Sequence, residues 1–245
     1  MEKDFYVTLH AVQERHWWYA ARRDILASVI RDESARGLPD GLIYDLGCGV
    51  GANLPVLSRF GSVVGIDTSQ DAVAFCHERG FANVRHADLN RLEGLEPESA
   101  KLVVLADVIE HLDDEVPCLT AARRLLKPNG MLLVTVPAFM FLWGPADELS
   151  HHRRRYTESS LRSVLQPLFD IERTTYFNTL LFGTVLAGRA VEKLFSRGGN
   201  DEAAIPPAAI NWALGTIFRA EASLLRGRRL PFGVSILSVA RKRVP

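Results

Sequence analysis

The stretch Leu42-Ile43-Tyr44-Asp45-Leu46-Gly47-Cys48-Gly49-Val50-Gly51 decides how the rest of the chain is read. Its first half is a short apolar, β-branched run, the pattern of a strand buried on both faces. Its second half alternates glycine with other residues where the strand must turn. Glycines there let the backbone approach a ligand, and a following helix would point unpaired N–H groups at it. The spacing predicts that helix over about Ala52 to Phe60.

Working outward, the alternation repeats. Val63-Val64-Gly65-Ile66 reads as a second strand, Gln70 to Arg79 as a helix and Asn83 to His86 as a third strand. Lys101 to Ala106 is a fourth, Glu115 to Leu126 a helix, and Met131 to Val136 a fifth strand after the turn Lys127-Pro128-Asn129-Gly130. Strands alternating with helices of this length build a parallel sheet with right-handed crossovers, so the core is α/β and doubly wound. Before it, apolar residues at three- and four-residue steps predict a helix over His16 to Arg36, stopped by Gly37-Leu38-Pro39. After Pro137 comes an irregular aromatic and cationic segment, Phe139 to Tyr156. A helix over Glu158 to Leu165, a strand near Phe169 to Tyr176, helical stretches over Asn178 to Phe195 and Ala208 to Arg226, and a closing strand over Gly233 to Ala240 follow. The Arg197 to Pro207 stretch reads as a loop.

At 245 residues with 47% hydrophobic and 24% charged positions, the chain is ordinary for one globular domain. The expected organisation is a single domain over 1–245: a helical cap over 1–40, a core over 41–137 and an acceptor-side half over 138–245 carrying a helical insertion at about 178–228. Twenty-nine Lys and Arg balance 29 Asp and Glu, so no overall field argues for a nucleic-acid partner. The charge is locally uneven. Residues 217–245 hold seven basic residues against Glu221 alone, read as a solvated face, with an anionic substrate or lipid surface as the sharper alternative. Cys48, Cys76 and Cys118 form no CxxC pair, so neither a disulfide framework nor a zinc knuckle is indicated, and a cytoplasmic setting is expected. No apolar run reaches the roughly 18 residues of a membrane span.

Asp67 ends the second strand twenty residues after Gly47, where a carboxylate can accept from both hydroxyls of a ribose. Alone, this pattern also fits a nicotinamide fold, since Gly47, Gly49 and Ala52 read as G-x-G-x-x-A. Asp45, two residues before the first glycine, and the forty or so residues before the first strand argue against that reading. Taken with Gly65-Ile66-Asp67, Ala87-Asp88-Leu89, Ala106-Asp107-Val108-Ile109-Glu110-His111-Leu112 and Leu125-Leu126-Lys127-Pro128-Asn129-Gly130, the chain resembles the class I S-adenosylmethionine-dependent methyltransferases, closest to the small-molecule branch that includes the ubiquinone-type enzymes.

The resemblance implies a Rossmann-like sheet of seven strands, the last antiparallel, with helical lid elements. It implies S-adenosylmethionine as cofactor and methyl transfer, to an oxygen of a small, lipid-linked or saccharide-linked acceptor. Gly47, Gly49 and Gly51 would form the turn against the cofactor, Asp45 would orient that turn and the ammonium, and Asp67 would take the ribose hydroxyls. Asp88 and the Leu89 N–H would read the adenine, with Ala106 and Asp107 near the methionine end. No metal is implied. His111 reads as a structural residue at a helix start.

Some bacterial methyltransferases of this branch carry a similar tryptophan, acid and His-x-Arg-Arg-Tyr arrangement to Trp143 through Tyr156, with an aromatic helix like His16-Trp17-Trp18-Tyr19. This implies a lid and acceptor site: His152 as base, His151 as fallback, Arg154 and Arg155 as anion clamp, and Trp17, Trp18, Trp143 and Tyr156 as pocket walls. The alternative is that Asp147 and Glu148 pair with the arginines as a clamp within the loop, and that Trp17 and Trp18 pack in the core. The two terminal helical segments are expected to cap the carboxyl edge of the sheet. The apolar Asn178–Phe195 stretch, followed by Arg189, Lys193 and Arg197, packs on the sheet or faces lipid, which would place the protein peripherally at the inner face of a membrane. A nicotinamide-dependent reductase and a non-catalytic cofactor-binding regulator are the rival functions.

Overall fold

A computed structural model describes residues 3–195 and 205–243, without the side chains of 3–5 and 191–195. Seven strands form one sheet in the order β3-β2-β1-β4-β5-β7-β6. The strands are β1 (Leu42–Leu46), β2 (Val63–Asp67), β3 (Val84–His86), β4 (Ala100–Ala106), β5 (Leu126–Pro137), β6 (Phe169–Phe177) and β7 (Ser235–Lys242). The first five pair in parallel, whereas β7 runs antiparallel to both β5 and β6. Strand order reverses between β1 and β4, and the loops after these two strands open the crevice where ligands of doubly wound sheets bind.

Helices cover both faces: α1 (Lys3–Arg15), α2 (Trp17–Ala35), α3 (Leu54–Leu57), α4 (Gln70–Glu78), α5 (Val116–Leu125), α6 (Pro145–Leu149), α7 (Glu158–Leu165), α8 (Phe182–Phe195) and α9 (Ala208–Leu224). One face buries Leu105, Leu119, Val134 and Leu161 together, with α5 and α7 on it. The other buries Ile25, Leu26 and Ile30 of α2 and Phe218 of α9 against Ile43, Val104, Leu133 and Leu237. Period-two alternation in the strands and period-3.6 recurrence in α2 thus meet across the same interface.

The helix α1 is not signalled by the sequence, because its charges fall on both sides of Tyr6. It is held from outside itself: Tyr6 is buried, its hydroxyl pairs with Ser69 at 2.9 Å, and Tyr6 and His10 lie against Phe75 of α4.

Two expectations are corrected. The turn Lys127-Pro128-Asn129-Gly130 lies inside β5, accommodated by a break in register against β4 and by Asn129 at φ 61°. Of the segments His16–Arg36 and Asn178–Arg226 expected to cap the carboxyl edge, the α2 and α9 helices do not do so as a whole. The pairs Trp17–Asn211, Asp24–Arg219 and Asp32–Arg226 show α2 and α9 running side by side in parallel, lying along one face. The start of α2 as far as Arg22 reaches the carboxyl edge, where Arg22 meets Asp107, and α8 lies there too, with Phe182 against Phe139 just after β5. Lys193 is described without its side chain, and Arg197, like the expected 197–207 loop up to residue 204, lies outside the described residues.

Candidate active site

The turn after β1 is built for close approach. Gly47, Gly49 and Gly51 have φ of 72°, 53° and 78°, the left-handed region that favours glycine. A Cβ on Gly47 would lie 2.6 Å from Val108, whereas one on Gly49 would meet nothing within 4 Å, so that side of the turn is open to a ligand. Asp67 organises the turn. Its Oδ2 accepts from the Gly49 N–H at 2.7 Å and its Oδ1 from the Ser69 N–H at 2.9 Å. Each carboxylate oxygen has two acceptor sites, so one on each remains for a pair of hydroxyls. Asp88 is exposed, its Oδ1 taken by the Asn90 N–H at 2.9 Å, and Leu89 is buried beside it.

At the crevice, acids surround one buried guanidinium. Arg22 of α2 forms an ion pair with Asp107, at the carboxyl end of β4. Asp107 sits at φ 58° and also accepts from the Thr135 hydroxyl at 3.1 Å. Such backbone strain in a non-glycine residue concentrates at functional sites. Asp45 is buried, its Oδ2 lacks a partner, and burial pushes its carboxyl up to about 7 against the pull of Arg22. Glu110 is buried with both oxygens unpartnered, and burial pushes it up to about 8. The Arg22 guanidinium lies 4.7 Å from the Trp18 ring centroid, a cation–π contact.

Sequence reasoning missed Arg22 and assigned Glu110 no role. The signal for Arg22 was its position four residues after Trp18 and within the buried stripe of α2, where a charge needs a partner.

The loop after β5 holds a second constellation. Asp147 has no exposed surface and gathers four donors: the Gly144 N–H at 2.8 Å, His152 Nδ1 at 2.8 Å, and Arg155 through Nε and Nη2, each at 2.8 Å. Burial works against its charge, but the bonds from His152 and Arg155 prevail and hold its carboxyl at about 2. An ionised Asp147 keeps the proton on Nδ1 and leaves Nε2 of His152 as an acceptor. The His152 ring packs edge-on to that of His111 at 4.6 Å. Glu110, His111 and His152 bring one carboxylate oxygen and two imidazole nitrogens within 4.8 Å of one another, a spacing suited to sharing a proton or a cation. The His111 imidazole is pushed down to about 4 by desolvation and by the neighbouring His152.

The other expected acceptor-site residues fall elsewhere. Arg155 is committed to Asp147 and to the Ala138 carbonyl, the clamp within the loop. Arg154 binds Glu115 at 2.6 Å and the Leu112 and Asp113 carbonyls, so its partner is Glu115 and not Glu148. The Arg155 guanidinium is thus fully engaged, while that of Arg154 is 34% exposed and anchored to the start of α5. Tyr156 is a core residue, 2% exposed, its N–H on the Pro137 carbonyl. His151 is exposed at φ 55°, its N–H on the Glu148 carbonyl, where it closes α6. Trp143 is half-buried within this loop, its N–H on the Met140 carbonyl. Trp17 packs edge-on to Phe218 at 5.9 Å, the core alternative, while Trp18 stays at the crevice.

A glycine turn at a sheet crevice, a strand-end carboxylate and a group of buried acids are the features of a nucleotide-binding type of α/β domain. Comparison with known proteins gives the family. Residues 44–134 match the family model described as a methyltransferase domain, Methyltransf_11. A "Probable S-adenosylmethionine-dependent methyltransferase" of Mycolicibacterium smegmatis is 26% identical over 172 residues, covering 68% of this chain and 65% of that one. A ubiquinone biosynthesis O-methyltransferase of Bradyrhizobium diazoefficiens is 35% identical over 104 residues, 38% of each chain. The chain therefore spans less than two thirds of the length of these curated relatives. Among solved structures, a SAM-dependent methyltransferase from Archaeoglobus fulgidus superposes with a TM-score of 0.56 at 18% identity, covering 90% of this chain and 94% of its own, a likeness of fold. Residues 44–134 thus carry a methyltransferase domain similar to those of S-adenosylmethionine-dependent methyltransferases, within the seven-stranded sheet expected from the sequence. No helix among the described residues is long and apolar enough to cross a membrane.

Proposed function

We propose that the protein transfers a methyl group from S-adenosylmethionine to an oxygen of a small acceptor. His152 serves as the base, and the hydrogen bond from its Nδ1 to the buried carboxylate of Asp147 carries the proposal.

The residues of the crevice fit the cofactor. Open space beside Gly49 and the spare acceptor sites of Asp67 suit the ribose, and the unpartnered oxygens of Asp45 and Glu110 suit an ammonium. Asp88 and Leu89 would border the adenine, and Ala106 and Asp107 the methionyl end. A bound sulfonium supplies an already activated methyl group. The chain's part is to align the acceptor, exclude water and receive its proton. Asp147 fixes the ring of His152, Nε2 takes the hydroxyl proton, and Asp147 stabilises the imidazolium that results. Arg155 and the Gly144 N–H keep Asp147 ionised for that purpose.

The loops around this site expose Met140, Phe141, Leu180 and Phe232, with Phe182 touching both Phe141 and Phe232. An apolar rim beside the base favours an acceptor with an apolar portion, lipid-linked or not.

Calorimetry with S-adenosylhomocysteine and NADH, followed by turnover of His152→Gln, tests the reading. Saturable binding of S-adenosylhomocysteine, no binding of NADH, and turnover lowered about 10²–10⁴-fold at unchanged cofactor affinity are expected. Binding of NADH alone overturns the cofactor assignment. Normal turnover in a folded His152→Gln protein removes the base.

A further inference from the structure

Two cysteines meet beneath the cofactor turn and take no part in the mechanism above. Cys48 belongs to the turn itself and Cys76 to the inward face of α4, and both are buried. Both also approach one acceptor, the Gly49 carbonyl, Cys76 Sγ at 3.3 Å and Cys48 Sγ at 3.9 Å. They sit in a small apolar cluster with Leu54, Val73 and Val84. The sulfurs fill the space under the turn, since a Cβ on Gly65 would lie 3.0 Å from Cys48 Sγ and one on Gly51 3.1 Å from Cys76 Sγ. The third cysteine, Cys118, is buried in a different cluster on α5.

We propose that Cys48 and Cys76 are an oxidative modification site, a dithiol that peroxides convert to a disulfide and that thereby weakens cofactor binding at the turn above it. The second half of this inference rests on the cofactor reading given under Proposed function. A disulfide holds its sulfurs about 2 Å apart, closer than any non-bonded contact, so closing it must draw α4 and the turn together. The turn cannot follow freely. Gly49 is tied to Asp67, and Arg79 at the end of α4 donates to the Val50 carbonyl at 2.7 Å. Displacing Gly49 therefore disturbs the carboxylate assigned to the ribose.

The chemistry balances with hydrogen peroxide as oxidant. The neighbouring Cys48 thiol and the Arg79 charge favour thiolate at Cys76, against its burial and the charges of Asp67 and Asp45. That thiolate attacks one peroxide oxygen, the O–O bond breaks, and the departing hydroxide takes a proton to leave as water. The Cys48 sulfur then displaces hydroxyl from the Cys76 sulfenic acid, forming the S–S bond and a second water. Two thiols and one peroxide give one disulfide and two waters. Cys48 is 6% exposed and Cys76 has no exposed surface, so the oxidant must enter past the open side of Gly49, a route for peroxide, which is close to water in size, and not for a bulky disulfide.

The test is to treat the purified protein with hydrogen peroxide, map its thiols by alkylation and peptide mass spectrometry, and measure S-adenosylhomocysteine binding by calorimetry. A Cys48–Cys76 linked peptide is expected, with affinity at least tenfold lower and restored by dithiothreitol. Cys76→Ala, or Cys76→Ser should the first not fold, is expected to lose this sensitivity while Cys118→Ala keeps it. Absence of the linked peptide overturns the dithiol. Unchanged affinity in the linked protein, or the same loss in Cys76→Ala, overturns its effect on the turn. Failure of the reduced protein to bind S-adenosylhomocysteine strikes the cofactor reading instead, and the peptide map still decides whether the disulfide forms.

Discussion

Asp67 holds the cofactor turn with two backbone donors and keeps acceptor sites for a ligand. Asp67→Ala is therefore expected to weaken S-adenosylhomocysteine binding by about 1–3 kcal/mol, through lost charged hydrogen bonds and a released Gly49 N–H. An unchanged dissociation constant in calorimetry would remove Asp67 from the site. Arg155 tests the loop. Its guanidinium and the Asp147 carboxylate are 7% and 0% exposed, so removing one partner strands a buried charge. Arg155→Ala is expected to destabilise the fold by about 3 kcal/mol or more in urea denaturation. A fully stable Arg155→Ala whose only change is a raised acceptor KM would restore the anion-clamp role. At this scale the residues proposed for the cofactor could be placed from the sequence, because Asp45, the glycines and Asp67 lie close to strand ends whose positions the apolar pattern sets. The acceptor residues were less legible. His-His-Arg-Arg-Arg looks alike along the chain, and only the fold separates a histidine on Asp147 from one at the surface.

Among elements, the α2–α9 pair is the one whose partner the sequence did not name. Phe218 has no exposed surface and touches both Trp17 and Phe177. Phe218→Ala is expected to cost about 3–5 kcal/mol in urea denaturation and to shift tryptophan emission, as Trp17 loses its packing. A cost below about 1 kcal/mol would mean that α9 is not packed on α2 as described. The strands β1, β2 and β4 were readable to within a residue because each is a short apolar run closed by turn residues. The α1 helix was not, since its order comes from Tyr6 and Ser69, 63 positions apart in the chain.

For the molecule as a whole, burial of acids beside Arg22 sets a pH dependence. Asp45 and Glu110 are raised to about 7 and about 8, so the folded state binds more protons than the unfolded state from about pH 4 upward. Stability from these two groups is full below their unfolded values and is lost as pH rises through 7 and 8. Asp147, held at about 2, has the opposite sign: its contribution is present above its unfolded value and lost as pH falls toward 2. Melting temperature is thus expected to fall from pH 5 to pH 9, and again below pH 4. Asp45→Asn together with Glu110→Gln is expected to flatten the alkaline limb. An equally steep limb in that double variant would assign it to other groups.

The sequence by itself determined the α/β alternation, the glycine turn, the acids at strand ends and hence the methyltransferase class. These are local patterns, each set by side chains within a few residues of one another. Only the tertiary structure decided what Arg22, Glu110, Asp147 and the loop arginines do. Their states depend on burial and on partners such as Arg22 with Asp107, or Arg154 with Glu115, that lie far apart in the chain. Charge in a protein interior is governed by which groups folding brings together, and no spacing along the sequence encodes that distance.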